Sequence, residues 1–229
     1  MLVPGHPTPK PATLVAPEEQ IRLDDRASTW ASRGGEKLAA ALDRFDVVLE
    51  GRRALDVGAS TGGFTDVLLT RGAASVLALD VGYGQLLWRL STDPRVSVLD
   101  RTNFRTVEPA AIGAPFDMVT MDVSFISAAS LAPQLHRVGT NGTDYVVLVK
   151  PQFEVGRPRV GRGGIVRDRD AHRDAVATVV AALSRAGLAP VGAMPSPVLG
   201  SKGNREFLVH ARFGPGGRET GRLVDEALA

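Results

Sequence analysis

At 229 residues, with 44% hydrophobic and 23% charged side chains, the chain has the make-up of a soluble globular protein with one substantial core. Its 27 Lys and Arg nearly balance 25 Asp and Glu, a net charge of +2, so any partner preference rests on where charge lies rather than on its total. The absence of cysteine excludes disulfides, cysteine–zinc sites and any reaction that needs a thiolate nucleophile. His6, His136, His172 and His210 show no metal-ligand spacing, so no metal is expected. No apolar run approaches the roughly 18 residues that span a bilayer. The start, with prolines at 4, 7, 9 and 11, has no apolar signal segment. The expectation is a cytoplasmic protein without a membrane partner.

In chain order, residues 1–28 are Pro-rich and then polar. From Ser32 to about Val48 the apolar positions Leu38, Ala39, Leu42, Phe45 and Val48 recur at helical spacing. Five short apolar runs follow, at 53–58, 75–80, 96–99, 117–122 and 144–149. They have the β-branched or Leu-rich character of parallel strands covered on both faces. Helices are expected between them at 63–71, 84–91, 107–112 and 129–137. A longer amphipathic helix over 169–186 starts near Asp168 or Asp170 and stops at Gly187. Two last strands, 190–194 and 205–212, have only a loop between them and can pair antiparallel. The tail 214–229 is Gly-rich, then weakly helical. The expected fold is α/β and Rossmann-like: a seven-stranded, mostly parallel sheet with helices on both faces and a C-terminal antiparallel hairpin, the arrangement of class I methyltransferases.

The stretch from Ala54 to Phe64 puts Asp56 on an apolar strand, then breaks into Gly58-Ala59-Ser60-Thr61-Gly62-Gly63 and starts a helix. Such a turn holds a nucleotide-like cofactor at the carboxyl edge of a parallel sheet. A dinucleotide site wants glycine again two residues after Gly58, where backbone meets pyrophosphate. Ala59-Ser60 fails that pattern and suits S-adenosylmethionine, which has no phosphate to cradle. Asp80 ends the second strand 22 residues after Gly58, where a carboxylate grips a ribose diol. Asp100 ends the third and is placed to accept from an adenine amino group. Ser60, Thr61, Gly62, Gly63 and Phe64 complete the expected cofactor site.

Asp122 and Lys150 end the fourth and fifth strands, which are neighbours in this fold, so carboxylate and ammonium are expected to face each other over the cofactor. Buried groups of this kind are costly unless paired. The fourth-strand sequence Asp122-Val123-Ser124-Phe125 lacks the Pro-Pro-aromatic turn used to stack bases for methylation of exocyclic nitrogens. A Lys–Asp pair suits a hydroxyl acceptor better. Arginines 157, 159, 162, 167, 169 and 173 form a strip read either as phosphate-contacting or as a solvated loop leading into a helix.

Six motifs closely resemble the TlyA family, itself similar to the FtsJ-type ribosomal RNA 2′-O-methyltransferases. They are Ser32-Arg33-Gly34-Gly35-Glu36-Lys37-Leu38, the Gly58–Thr65 turn, Asp80-Val81-Gly82-Tyr83-Gly84-Gln85-Leu86, Asp122-Val123-Ser124-Phe125-Ile126-Ser127, Val149-Lys150-Pro151-Gln152-Phe153-Glu154 and Gly203-Asn204-Arg205-Glu206-Phe207. The resemblance covers residues 8–213. It implies a catalytic tetrad at Lys37, Asp122, Lys150 and Glu206, ribosomal RNA or ribosomal subunits as partner, and cytidine as target. Arg33, Arg157, Arg159, Arg162 and Arg167 are the RNA-contacting residues expected on this reading. Members of that family begin with an S4-type RNA-binding domain. Lys10-Pro11-Ala12-Thr13 looks like its last strand, so 1–28 is expected to be a remnant of it with a linker, 29–213 the methyltransferase domain. The competing expectations are an RNA-binding ribosome-assembly factor with little turnover, a small-molecule O-methyltransferase, and the membrane-active cytolysin suggested by the family's hemolysin label.

Overall fold

The computed structural model describes residues 14–19 and 29–229, so most of the expected 1–28 remnant lies outside the described residues. Among those described, one sheet contains β1 (Arg53–Val57), β2 (Ser75–Leu79), β3 (Val96–Leu99), β4 (Phe116–Met121), β5 (Gly139–Val149), β6 (Leu188–Pro195) and β7 (Phe207–Phe213). Their order is β3-β2-β1-β4-β5-β7-β6. The first five strands are parallel. β7 enters between β5 and β6 and runs antiparallel to both. The sequence direction reverses between β1 and β4, and ligands bind such sheets outside the carboxyl ends at that switch point.

The helices are α1 (Gly34–Phe45), α2 (Gly63–Thr70), α3 (Trp88–Ser91), α4 (Ala132–Arg137), α5 (Pro151–Glu154), α6 (Arg169–Arg185) and α7 (Thr220–Leu228). Alternation along the strands decides which face each side chain covers. In β5, Tyr145, Val147 and Val149 join the core under α6 and α7, while Val146 and Leu148 join the core under α1 and α2. No helix among the described residues is long and apolar enough to cross a membrane.

Three expected helices come out shorter. Residues 84–91 are helical only at Trp88–Ser91, because the carboxylates of Asp80 and Asp100 take the N–H groups of Gly82 and Gly84 and hold that segment as a loop. Residues 109–112 form a 3₁₀ turn. The segment 129–137 divides into a 3₁₀ turn at Ala128–Leu131 and then α4, with Pro133 in its first turn. The tail is more regular than expected. α7 buries Leu223, Val224 and Ala227 on the same core as α6, so an apolar face outweighs the Gly-rich approach to it.

Candidate active site

β1 ends and the chain turns at Gly58 with φ +84°. A Cβ there would collide with the Asp122 carbonyl oxygen at the end of β4, so geometry and space both demand glycine. Ser60 adopts φ +47° in spite of its side chain. It is held there by donating its N–H to Asp80 Oδ2 at 2.8 Å, while Asp80 Oδ1 accepts from Gly82 N at 2.7 Å. One carboxylate thus ties the glycine turn to the loop after β2.

Two cavities meet at this turn and share Gly58, Ser60, Asp122 and Ser124 in their walls. The larger, 450 Å³, offers Asp80, Gln85 and Asn103 as polar groups beside apolar Leu79, Phe104 and Ile126. The other, 330 Å³, is walled by Ser60, Thr61, Gly63 and Phe64 and by charged side chains. A carboxylate beside an apolar slot fits a ribose and purine. The polar chamber offers Ser60, Thr61, Gly63 and Phe64 at the helix start to an amino-acid end, and its charged walls to an acceptor.

Lys37, Asp122, Lys150 and Glu206 all line the 330 Å³ cavity. Lys150 Nζ lies 2.5 Å from Asp122 Oδ1 and donates to Ser124 Oγ at 2.9 Å. Lys37 Nζ donates to Glu206 Oε2 at 2.5 Å across 169 residues of sequence, with both side chains almost fully buried. Ions withdrawn from water this far persist only as pairs. Gly200 lies against Glu206 so closely that a Cβ would strike the carboxylate. Opposite charges therefore alternate around one chamber, a setting that can align a polar acceptor and steady charge as it develops.

Gly58, Ser60, Thr61, Gly63, Phe64 and Asp80 line these cavities. Three expected cofactor residues stand elsewhere. Asp56 is fully buried beneath the turn, where it accepts from Thr65 Oγ1 at 2.7 Å and Thr120 Oγ1 at 2.9 Å. Burial, opposed by those two hydroxyls and reinforced by the charge of Asp122, raises its pKa to about 6. Asp100 is absent from both walls and holds Gly84 N at 2.7 Å, so it braces the loop. Gly62, at φ +97°, packs against Leu86 and Leu90 at the start of α2.

Arg33 lines the smaller cavity. Arg157, Arg162 and Arg167 form no ion pair among the described residues, whereas Arg159 is taken up by Asp168 at 3.2 Å and by Asp174. The strip thus offers fewer free cations than its composition promises. Sequence reading also passed over Asn103, Phe104 and an aromatic pair. Phe125, 90% exposed at φ +66°, lies with its ring 5.4 Å from Phe153 at the mouth. The positive φ that marks Phe125 exists only in the folded chain, so its sequence carried no such signal.

An FtsJ-like methyltransferase family model matches residues 30–213. The chain belongs to the FtsJ-like methyltransferase family. It is similar to the 16S/23S rRNA (cytidine-2′-O)-methyltransferase TlyA of Mycobacterium tuberculosis, at 48% identity over 92% of this chain and 79% of that protein. A solved structure of a protein labelled hemolysin from Streptococcus thermophilus superposes with TM-score 0.84 at 39% identity, covering 91% of this chain and 76% of that one. The N-methyltransferase NodS of Bradyrhizobium japonicum, solved with S-adenosyl-L-homocysteine, shares the fold alone. Its TM-score is 0.54 at 15% identity, over 79% of this chain and 85% of that one. S-adenosylmethionine is the cofactor of this FtsJ-like enzyme, and the paired cavities, the Asp80 carboxylate and the Gly58 cradle suit it.

Proposed function

We propose that this chain methylates ribose 2′-hydroxyls of ribosomal RNA, with a cytidine as acceptor, on ribosomal subunits or their RNA in the cytoplasm. The observation that carries the reading is the convergence of Lys37, Asp122, Lys150 and Glu206 on a chamber continuous with the cofactor crevice. Similarity to an rRNA (cytidine-2′-O)-methyltransferase over nine-tenths of the chain supports the choice of acceptor. Residues 29–213 are read as the catalytic unit, with Arg33, Arg157, Arg162 and Arg167 contacting phosphates.

When bound, S-adenosylmethionine supplies an electrophilic methyl group on a sulfonium sulfur. Lys150 then holds the 2′-oxygen in line, and its ammonium lowers the pKa of that hydroxyl. Asp122 and Ser124 fix where Nζ points. As the oxygen–carbon bond forms and the carbon–sulfur bond breaks, the hydroxyl proton leaves through the Asp122 carboxylate to solvent, because an ammonium at Lys150 has no lone pair to accept it. Lys37 and Glu206 close the far side of the chamber and position the ribose. Alignment and fixed charge do most of the work.

Replacement of Lys150 by alanine should lower the methylation rate by ~10²–10⁴-fold with cofactor affinity retained. Single-turnover methylation of ribosomal subunits beside a cofactor-binding titration checks both. A Lys150→Ala protein as fast as wild type would exclude this mechanism.

A further inference from the structure

The segment Lys150-Pro151-Gln152-Phe153-Glu154 leaves β5 at the edge of the chamber, and three of its side chains have evident work. Lys150 belongs to the tetrad. Glu154 accepts from Ser127 Oγ at 2.6 Å and Ala128 N at 2.7 Å, which fastens the loop after β4 to α5. Phe153 packs its ring against Phe125. Gln152 has no such account. Its Oε1 is buried and accepts no hydrogen bond among the described residues. An orphaned acceptor of this kind is uncommon and asks for a donor that arrives from outside.

The place of Gln152 limits what that donor can be. It lines a third cavity, 200 Å³, together with Lys150, Ser124, Phe125, Phe153 and Glu206. That cavity adjoins the reacting oxygen's position through Lys150, Ser124 and Glu206, which also line the 330 Å³ chamber. A nucleoside whose 2′-oxygen sits at Lys150 has its base within reach of this space, beside the Phe125–Phe153 pair. Asn204, the other amide in the wall, is already used. Its Oδ1 accepts from Val166 N at 2.9 Å and its Nδ2 donates to Gly164 O at 2.8 Å. Gln152 is therefore the amide left to read a base edge. Cytosine presents an exocyclic amine as donor, where uracil presents an acceptor.

We propose that Gln152 is a specificity-determining residue, whose Oε1 accepts a hydrogen bond from the exocyclic 4-amine of the cytosine being methylated. The inference rests on the 2′-O-methyltransferase reading and goes beyond it, because the tetrad touches only ribose.

The test pairs a change in the protein with a change in the base. Ribosomal RNA segments spanning the methylated position carry there either cytidine or its pyrimidin-2-one analogue, which lacks the 4-amine. Wild type and Gln152→Met, a substitution of similar length without an acceptor, are compared on both. The readouts are kcat/KM and the RNA dissociation constant measured with S-adenosylhomocysteine bound, so that a variant without turnover still gives a ratio. Loss of the amine should cost wild type ~10–100-fold, the range for a buried hydrogen-bonding group left unpaired. In Gln152→Met the same loss should cost less than about twofold, since the acceptor is already gone. Indifference of the wild type to the amine, or an equal penalty in both proteins, overturns the proposal. If wild type methylates no ribose in the cytidine RNA, the underlying function fails instead. S-adenosylhomocysteine affinity and melting temperature of Gln152→Met show whether the variant is folded.

Discussion

Asp56 sits in a dry position under the glycine turn, and its charge is the unfavourable form there. Its pKa rises from 3.8 to about 6 on folding, chiefly through burial. The folded state therefore binds the proton more tightly. The stabilising contribution is complete below 3.8 and is lost as pH rises through about 6, a difference of about 3 kcal/mol at neutral pH. Asp56→Asn, which carries no charge at any pH, should gain on wild type over that window. The two melting temperatures, followed from pH 4 to pH 8, should diverge in the mutant's favour as pH rises. A difference that stays flat with pH would show that Asp56 is not held as an acid. The contrast between Asp56 and Asp80 marks how far single residues were legible. Both end apolar strand motifs, but alternation along β1 turns Asp56 inward onto Thr65 and Thr120, while Asp80 reaches the crevice. Lys37 and Glu206 could not be found by spacing, because a contact across 169 residues leaves no local period; the family motifs alone named them. Gln152 escaped because an unsatisfied acceptor exists only once its surroundings do.

At the scale of elements, α6 shows how a start signal becomes stability. Asp168 accepts the N–H groups of Asp170 and Ala171, satisfying donors that the first turn leaves unpaired. Gly187, at φ +82°, ends the helix. Asp168→Ala should lower stability by ~1 kcal/mol, read as a denaturation midpoint shift at unchanged slope. An unchanged midpoint would mean that the cap is replaced by water at no cost. Elements of this kind, with a cap, an apolar face and a terminal glycine, were readable in advance. So were the strands, whose apolar runs match β1 to β4 within a residue or two. What failed was the short connecting helices. Residues 84–91 carry a helical pattern, yet Asp80 and Asp100, both on other segments, capture the backbone N–H groups of Gly82 and Gly84. The last two strands pair antiparallel as expected, and β7 lies between β5 and β6, an order that no local period encodes.

Across the whole molecule, the near-neutral balance hides a division of labour. Asp80 and Asp122 line the cofactor crevice, while Arg33 in the smaller cavity and Arg157, Arg162 and Arg167, which form no ion pair among the described residues, are the cations proposed to meet RNA. If those cations meet phosphates, affinity for single-stranded RNA falls with salt, and each contact removed should lower the logarithmic slope by about 0.7. The double variant Arg157→Ala with Arg162→Ala should therefore weaken RNA binding at low salt and flatten its salt dependence, with cofactor affinity unchanged. A slope identical to wild type would return the strip to the role of a solvated loop. Mass-spectrometric mapping of ribose methylation in ribosomal RNA reads where the methyl group goes. RNA exposed to wild-type protein and S-adenosylmethionine should gain a 2′-O-methyl group on a cytidine, and RNA exposed to Lys150→Ala should not. A methyl group found on a base nitrogen or carbon, or a 2′-O-methyl group that appears equally with Lys150→Ala, would rule out ribose methylation by this tetrad.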